Sequence, residues 1–191
     1  YFVPDETTIG TQPDMLEYVT SVAAAWDCPI SIHSNIAAFE AHPRTLDNME
    51  VMRRWEEVRA KKWLTEEQKK ELQNLDQEHH LLINEKGEFE LVPYEQITHV
   101  AGDSKEVRAF IFKKNSEYYV IYWHATGNRK LKLPVKSSKL TLYRSIGENE
   151  LITQSPENYS ILPVGDMRYI KFNRLNKKDL LDIFAKAEII D

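Results

Sequence analysis

The stretch from Thr11 to Trp63 constrains the fold most, because its residues follow the pattern of a helix, a strand and a second helix. Thr11 followed three residues later by Asp14 is typical of a helix start, and Pro13 lies in the first turn, where its missing N–H has no cost. These residues predict a helix that ends near Trp26. Its apolar residues recur at steps of three and four and form one face: Met15, Tyr18, Val19, Val22 and Trp26.

A short strand is predicted directly after this helix. The residues from Ile30 to His33 follow Pro29, as expected for a parallel strand that is entered from a helix. Thr45 is predicted to cap a second long helix, whose apolar stripe contains Met49, Met52, Trp55 and Val58. Thr65 to Gln68 is predicted to form a capping box that begins a short, charged helix ending near Asn74. A strand between two amphipathic helices is a βα unit, and such units bury their strands only inside a larger parallel sheet or barrel. Residues 1–3 are expected to end a preceding strand, which makes two successive units.

Composition and charge restrict the function. The 191 residues are 42% hydrophobic and 10% aromatic, which is enough to build a substantial core. The formal net charge of -5 argues against a general nucleic-acid binder, which needs a basic face to neutralise phosphates. No apolar run has the roughly 18 to 20 residues of a membrane span. The single Cys28 excludes a disulfide within the chain.

A second domain is predicted from His79, where the hydrophobic period changes from helical to two-residue. Residues 1–78 are therefore assigned to the βα units and residues 79–191 to an antiparallel β-sandwich. Its strands are expected at 80–84, 88–92, 107–113, 117–124, 131–133, 140–143, near 151–152 and at 169–172. Asn176 with Asp179 predicts a capped closing helix. The predicted class is α+β: a partial (β/α) barrel segment, then the sandwich and the helix.

Motifs for catalysis and metal binding are almost absent. The sequence has no G-x-S-x-G elbow, phosphate loop, dinucleotide fingerprint, H-E-x-x-H or paired C-x-x-C. His79 and His80 are adjacent on a predicted strand, so they point to opposite faces and do not chelate one ion together. We therefore expect neither a metal nor a cofactor.

Four polar residues follow the two predicted strands of the first domain. Asp5 and Glu6 lie where a barrel carries its active-site loops, so they are candidates for a catalytic or sugar-binding carboxylate. A polar turn is the alternative, and it is the favoured one. His33 and Asn35 are candidates to hydrogen-bond the hydroxyls of a ligand. Loop formation or helix capping is the alternative for this pair.

Two aromatic residues are candidates for a sugar-stacking platform in the second domain. Tyr119 and Trp123 lie on one face of a predicted strand, four residues apart. Packing in the core is the alternative, and it is favoured.

Three segments of the first domain share a likeness: Thr8 to Tyr18, Ala25 to Ser31, and Asn35 to Thr45, which ends in His42-Pro43-Arg44-Thr45. They resemble the last two βα units of a bacterial glycoside hydrolase-like (β/α)8 barrel. Tyr119 to Gly127 resembles the C-terminal β-sandwich domain of such proteins. The resemblance covers most of the chain and includes no catalytic signature.

The resemblance implies carbohydrate hydrolysis by two carboxylates that flank the scissile bond. In related barrels these carboxylates lie on middle strands, upstream of this chain, so we expect the chain by itself to be inactive. The resemblance also implies a carbohydrate substrate and a periplasmic or extracellular location. The alternative function is a non-enzymatic carbohydrate-binding or interaction module.

Length predicts that the barrel is incomplete in this chain. A barrel needs about 250 residues, or roughly 30 for each unit, so residues 1–78 have room for two units. An isolated quarter of a barrel exposes strand edges and apolar helix faces. Residues 1–78 are therefore expected to pack against the remainder of their own polypeptide, or against a second copy.

Overall fold

A computed structural model of the chain describes residues 1–154 and 158–191. The chain divides into two compact units, Tyr1–Leu81 and Leu82–Asp191. Helices dominate the first unit and antiparallel strands the second, so the predicted α+β class is confirmed. The strand that links the units, β1, contains the boundary between them.

The helices and strands have the following bounds. The helices are α1 Pro13–Ala25, α2 Ile36–Ala41, α3 Thr45–Ala60, α4 Glu66–Leu72 and α5 Lys177–Ala185. The strands are β1 His79–Ile83, β2 Phe89–Gln96, β3 Val107–Lys114, β4 Glu117–His124, β5 Arg129–Leu133, β6 Leu140–Ser145, β7 Glu148–Glu150, β8 Thr153–Gln154, β9 Ser160–Val164, β10 Arg168–Phe172 and β11 Glu188–Ile190.

Helix α4 begins as predicted, but α1 and α3 do not. The side chain of Thr65 accepts from the Gln68 amide and the Gln68 side chain accepts from Thr65, so the predicted capping box of α4 is confirmed. The N-caps of α1 and α3 are Gln12 and Arg44, neither with a side-chain cap bond, so the predictions for Thr11 and Thr45 were wrong. Their hydroxyls are engaged elsewhere: Thr11 accepts from the Phe2 amide at 2.8 Å, and Thr45 donates to the Phe39 carbonyl at 2.6 Å.

The predicted strands of the first domain are absent. Residues 1–78 are all described, and neither 1–3 nor 30–33 belongs to a strand. A strand exists through hydrogen bonds to a neighbouring strand, and the described residues supply no such neighbour for either segment. The Ile30 amide instead donates to a carboxylate oxygen of Glu56 at 3.2 Å. Helix α2, which the sequence reasoning missed, follows this segment.

The second unit is built around a curled seven-stranded sheet in the order β1-β2-β3-β4-β10-β6-β7. A second sheet has the order β11-β5-β9-β8. All described pairs are antiparallel. The turn at Gly147, between β6 and β7, lies so close to Glu85, between β1 and β2, that a Cβ at Gly147 would be 2.9 Å from the Glu85 Cβ. The hairpins at opposite ends of the sheet therefore meet.

Strands β3 and β4 bury both of their faces. Residues that alternate along them point into two separate cores, as the two-residue period of a strand requires. The helix-side core joins the curled sheet to the second sheet and α5; its largest members include Tyr122, Leu131, Leu162, Phe172 and Phe184. The aromatic core lies on the other face and includes Tyr94, Phe110, Phe112, Tyr119, Trp123 and Tyr169.

The end of the chain is partly as predicted. The Asn176 side chain accepts from the Asp179 amide at 2.9 Å, which confirms the cap of α5. Strands β9 and β11 were missed, because their neighbours are distant in sequence and their own length is short. The strand expected near 151–152 is displaced: β7 ends at Glu150 and β8 begins at Thr153, and Leu151 between them is 97% exposed.

We expect Phe172→Ala to lower the free energy of unfolding by about 3–5 kcal/mol, because the ring is fully buried and packs edge-on against Phe184. The matched control, Leu151→Ala, should change it by less than about 0.5 kcal/mol, since that side chain is exposed. Chemical denaturation followed by circular dichroism measures both. Equal effects would contradict the placement of the helix-side core.

Candidate functional site

Asp5 stabilises its own turn. Its Oδ1 accepts hydrogen bonds from the Thr7 amide and hydroxyl, both at 2.7 Å, and from the Thr8 amide at 3.0 Å. The bonds from Thr7 lower the pKa of Asp5. A carboxyl group with a lowered pKa is ionised at neutral pH. It is therefore unsuited to donate a proton there, but it is able to accept a hydrogen bond. Glu6 is exposed beside it.

Asn35 caps a helix, and His33 is exposed. The Oδ1 of Asn35 accepts from the Ala38 amide at 2.9 Å and begins α2, while its NH2 group stays on the exposed side of the loop. No hydrogen bond or ion pair among the described residues joins Asp5 or Glu6 to His33 or Asn35. The structure therefore places these four candidates on exposed loops without assembling them into one site.

Tyr119 and Trp123 are core residues. Their side chains are only 7% and 1% exposed. Trp123 stacks on Phe110 with ring centroids 5.6 Å apart, and Tyr119 stacks on Phe112 at 5.4 Å. Burial raises the pKa of Tyr119 to about 12. The two share one face as predicted, but that face is the aromatic core, so neither ring is available to a sugar at the surface.

A buried polar cluster in the first unit was not predicted. Both oxygens of the buried Glu17 are engaged: Oε1 accepts from the Trp55 indole at 3.1 Å and from the Leu81 amide at 2.9 Å, and Oε2 lies 2.8 Å from His80 Nδ1. Because the carboxylate is enclosed and its partners are fixed, its role is to join α1, α3 and the start of β1. In the sequence this glutamate lies on the side of α1 opposite the predicted apolar face. A charged residue at such a position ordinarily indicates exposure to solvent, so the cluster was missed.

A second buried polar group lies at the start of α3. The Asn48 amide donates to the Thr11 carbonyl at 3.0 Å and to the Tyr1 hydroxyl at 3.2 Å, which ties the first residues to the helix. His42 is buried nearby and accepts from the Arg44 amide at 3.0 Å. Burial lowers the pKa of His42, and the positive charge of Arg44 acts in the same direction.

Helix α1 buries a side of mixed polarity and leaves its predicted apolar face exposed. Its buried positions are four polar and four apolar residues: Asp14, Glu17, Thr20, Ser21, Pro13, Leu16, Ala24 and Ala25. On the other side, Met15, Val19 and Trp26 are 42%, 45% and 64% exposed. Tyr18 is exposed and Val22 half-buried, so all five residues of the predicted apolar face retain contact with solvent. We call these five residues the α1 apolar face. Large contiguous apolar surfaces of this kind mark sites that pack against another element.

Each unit has a surface pocket. The first, of about 150 Å³, is lined by Ala24, Asp27, Val58, Arg59, Lys62, Leu64 and Lys69. Its Arg59 is paired with Asp27 at 3.2 Å and its Lys69 with Glu66 at 2.9 Å, so two of its three cations are already neutralised. The second, of about 230 Å³, lies in the second unit beside Tyr159.

Neither a metal centre nor a membrane segment is found in residues 1–154 and 158–191. Their His, Cys, Asp and Glu side chains do not come together in a group able to hold a metal ion. Their helices include none with a hydrophobic stretch that could cross a membrane.

Comparison with known proteins finds no relatives. No protein-family model, no curated protein and no solved structure matches the chain.

We expect Glu17→Ala to lower the free energy of unfolding by about 3 kcal/mol or more, because it removes the acceptor of buried N–H groups that cost about 1–3 kcal/mol each when unsatisfied. Glu17→Gln should fall between Ala and the wild type. Glu67→Ala, on the exposed side of α4, is the control and should be nearly neutral. Chemical denaturation followed by tryptophan fluorescence measures all three; a loss no larger than that of the control would contradict this role.

The lowered pKa of His42 predicts a loss of stability in mild acid. The unfolded chain takes up a proton at His42 near the usual pKa of 6.5, whereas the folded chain resists it. Below that pH the unfolded state binds more protons, so the free energy of unfolding falls as the pH decreases and is fully retained above it. His42→Asn should flatten this dependence between about pH 7.5 and 5.5, and His33→Asn, at an exposed histidine, should not. Parallel profiles for the two variants would rule out His42 as the source.

Proposed function

We propose that this chain is the C-terminal portion of a glycoside hydrolase. In the complete polypeptide, residues 1–78 would complete the last two βα units of a (β/α) barrel when segments 1–3 and 30–33 pair with the preceding strands, and residues 79–191 form the antiparallel domain that follows the barrel. The catalytic carboxylates belong to the part of the polypeptide that precedes this chain. The chain contributes structural support and loop residues at the edge of the substrate cleft.

The observation that carries this proposal is the exposure of the α1 apolar face. Burial of a helix is normally driven by its most apolar side, yet here Met15, Val19 and Trp26 are exposed, while the buried side is of mixed polarity. The α1 apolar face carries no charged side chain, so it suits an apolar layer and not a charged partner. In a βα unit the layer that covers a helix is the sheet.

The segment Ile30 to His33 supports the same partner. Its side chains alternate between half-buried and exposed, which is the pattern of a strand with one covered face. Among the described residues, no hydrogen-bond partner is found for the backbone amides of Ser31, Ile32 and His33. A sheet supplied by the preceding part of the polypeptide would satisfy these amides and cover the α1 apolar face.

The polar loop residues take binding roles in this proposal. Asp5 follows the first extended segment, and His33 and Asn35 follow the second, so in a complete barrel all lie at the carboxyl ends of strands, where barrel sites are found. The low pKa of Asp5 suits it to accept a hydrogen bond from a sugar hydroxyl. The free NH2 of Asn35 and the ring of His33 are suited to donate to one. General acid and base catalysis would need a carboxylate pair that these residues do not form.

The alternative, a non-enzymatic carbohydrate-binding or interaction module, has less support. It needs an exposed aromatic strip, and the burial of Tyr119 and Trp123 removes the strip that was predicted for it. The exposed α1 apolar face has no role in that alternative.

The test compares the effect of one substitution on the free energy of unfolding of this chain and of the complete product of the gene. Val19→Glu should change the unfolding free energy of this 191-residue chain by less than about 0.5 kcal/mol, since Val19 is exposed there. In the complete product of the gene it should cost more than about 2 kcal/mol, because it buries an unpaired charge against the sheet. Leu151→Glu is the matched control and should be neutral in both contexts.

The activity test uses the complete gene product and this chain side by side on a panel of aryl glycosides. We expect hydrolysis by the complete product and none by the chain. A neutral Val19→Glu in both contexts, or a complete product without glycosidase activity, would refute the proposal.

A further inference from the structure

The surface pocket of the second unit is built by three neighbouring strands. Lys132 on β5 lies directly opposite Glu188 on β11, and β9 pairs on the other side of β5 immediately after Tyr159. Leu131 and Leu133 are buried, so the alternation of β5 turns Lys132 away from the core. The pocket is lined by Lys132, Pro134, Asn158, Tyr159, Lys186 and Glu188. It therefore has one aromatic ring surrounded by hydrogen-bonding side chains.

Charges in the pocket are balanced. The Lys132 Nζ lies 3.2 Å from both carboxylate oxygens of Glu188, and the Lys186 Nζ lies 2.7 Å from Asp182. A pocket whose cations are each paired with a carboxylate gives little attraction to an anion or a cation. The ligand that fits it is uncharged.

The pocket nevertheless keeps unused hydrogen-bonding capacity. An ammonium group has three N–H donors, of which the Glu188 carboxylate uses at most two. Asn158 is exposed and adds two donors and an acceptor. The remaining lone pairs of Glu188 accept from hydroxyl groups. A ligand rich in hydroxyls satisfies these groups better than an apolar one.

Tyr159 supplies the apolar contact. Its ring is half-buried, and the Lys132 ammonium lies 4.8 Å from the ring centroid, which holds the two side chains together. A sugar ring has C–H faces that pack on an aromatic ring and hydroxyls at its rim that reach the surrounding donors and acceptors. The volume of about 230 Å³ is below the roughly 300–1,000 Å³ of sites for drug-sized ligands. A ligand of the size of one sugar unit suits a pocket of this volume.

We propose that the pocket formed by Tyr159, Lys132, Glu188 and Asn158 binds a single neutral pyranose unit. None of its lining residues is one of the loop residues Asp5, Glu6, His33 and Asn35. The pocket deepens the proposed function by assigning a glycan contact to the antiparallel domain. It rests on the proposed function only for the choice of carbohydrate as the ligand class. A single shallow subsite predicts weak binding, with a Kd in the range of about 1 mM.

The test is a nuclear magnetic resonance titration of the isotope-labelled 191-residue chain with methyl glucoside, methyl galactoside and methyl mannoside. At least one should cause saturable shifts of the amides of Lys132, Tyr159 and Glu188. Tyr159→Ala should weaken binding by about tenfold or more, because it removes the stacking surface. Tyr159→Phe should keep most of the affinity. Asn158→Ala, at an exposed position that does not affect folding, should weaken binding several-fold.

A matched control is the pair formed by Lys113 of β3 and Tyr118 of β4, in which the Lys113 ammonium is 5.6 Å from the ring centroid of Tyr118. Tyr118→Ala removes a similar lysine–tyrosine pair outside the pocket and should leave the affinity unchanged. No saturable shift with any of the three sugars up to about 100 mM would overturn the proposal. So would equal affinity of Tyr159→Ala and the wild type, or binding of sodium glucuronate in preference to the neutral sugars. Because glycosidase activity is measured on the complete gene product, failure of this pocket and failure of the proposed function are distinguishable.

Discussion

The second unit depends on the burial of both faces of β3 and β4. Phe110 and Phe112 face the aromatic core, while Ala109 and Ile111 face the helix-side core, and the residues of β4 opposite them alternate in the same way. A strand pair with two apolar faces requires a layer on each side. The second sheet with α5 supplies one layer, and the curl of the first sheet supplies the other. The close approach of Gly147 to Glu85 follows from that curl.

The first unit depends on a polar constraint instead. The Glu17 carboxylate joins α1, α3 and β1 through Trp55, His80 and the Leu81 amide, and this directs the side of α1 that carries Glu17 inward. The α1 apolar face is exposed as a consequence. The enclosed polar cluster and the exposed apolar face are thus one feature of the unit, and together they favour an additional layer over this helix.

Sequence patterns predicted helices and strands correctly where the pattern depended only on neighbouring residues. The capping box at Thr65, the cap at Asn176 and the central strands β3 and β4 needed only neighbouring residues and period, and each was found. The strand at Ile30 to His33 was wrong because a strand depends on a distant partner, which no local pattern reveals. Strands β9 and β11 were missed for the same reason. The Tyr159 pocket joins residues of β5 and β11 with residues that precede β9 and follow α5, so no spacing in the sequence indicated it.

The α+β class, the change of hydrophobic period near His79 and the absence of familiar catalytic motifs could all be predicted from the sequence, because they follow from local residue chemistry. Only the tertiary structure decided which side of α1 is covered, where the aromatic residues of β4 point and which charges around Tyr159 are paired. An amphipathic pattern shows that the two sides of a helix differ in polarity. Which side is buried depends on the residues that pack against the helix. In α1 that is decided by hydrogen bonds to Glu17 from residues up to 64 positions away.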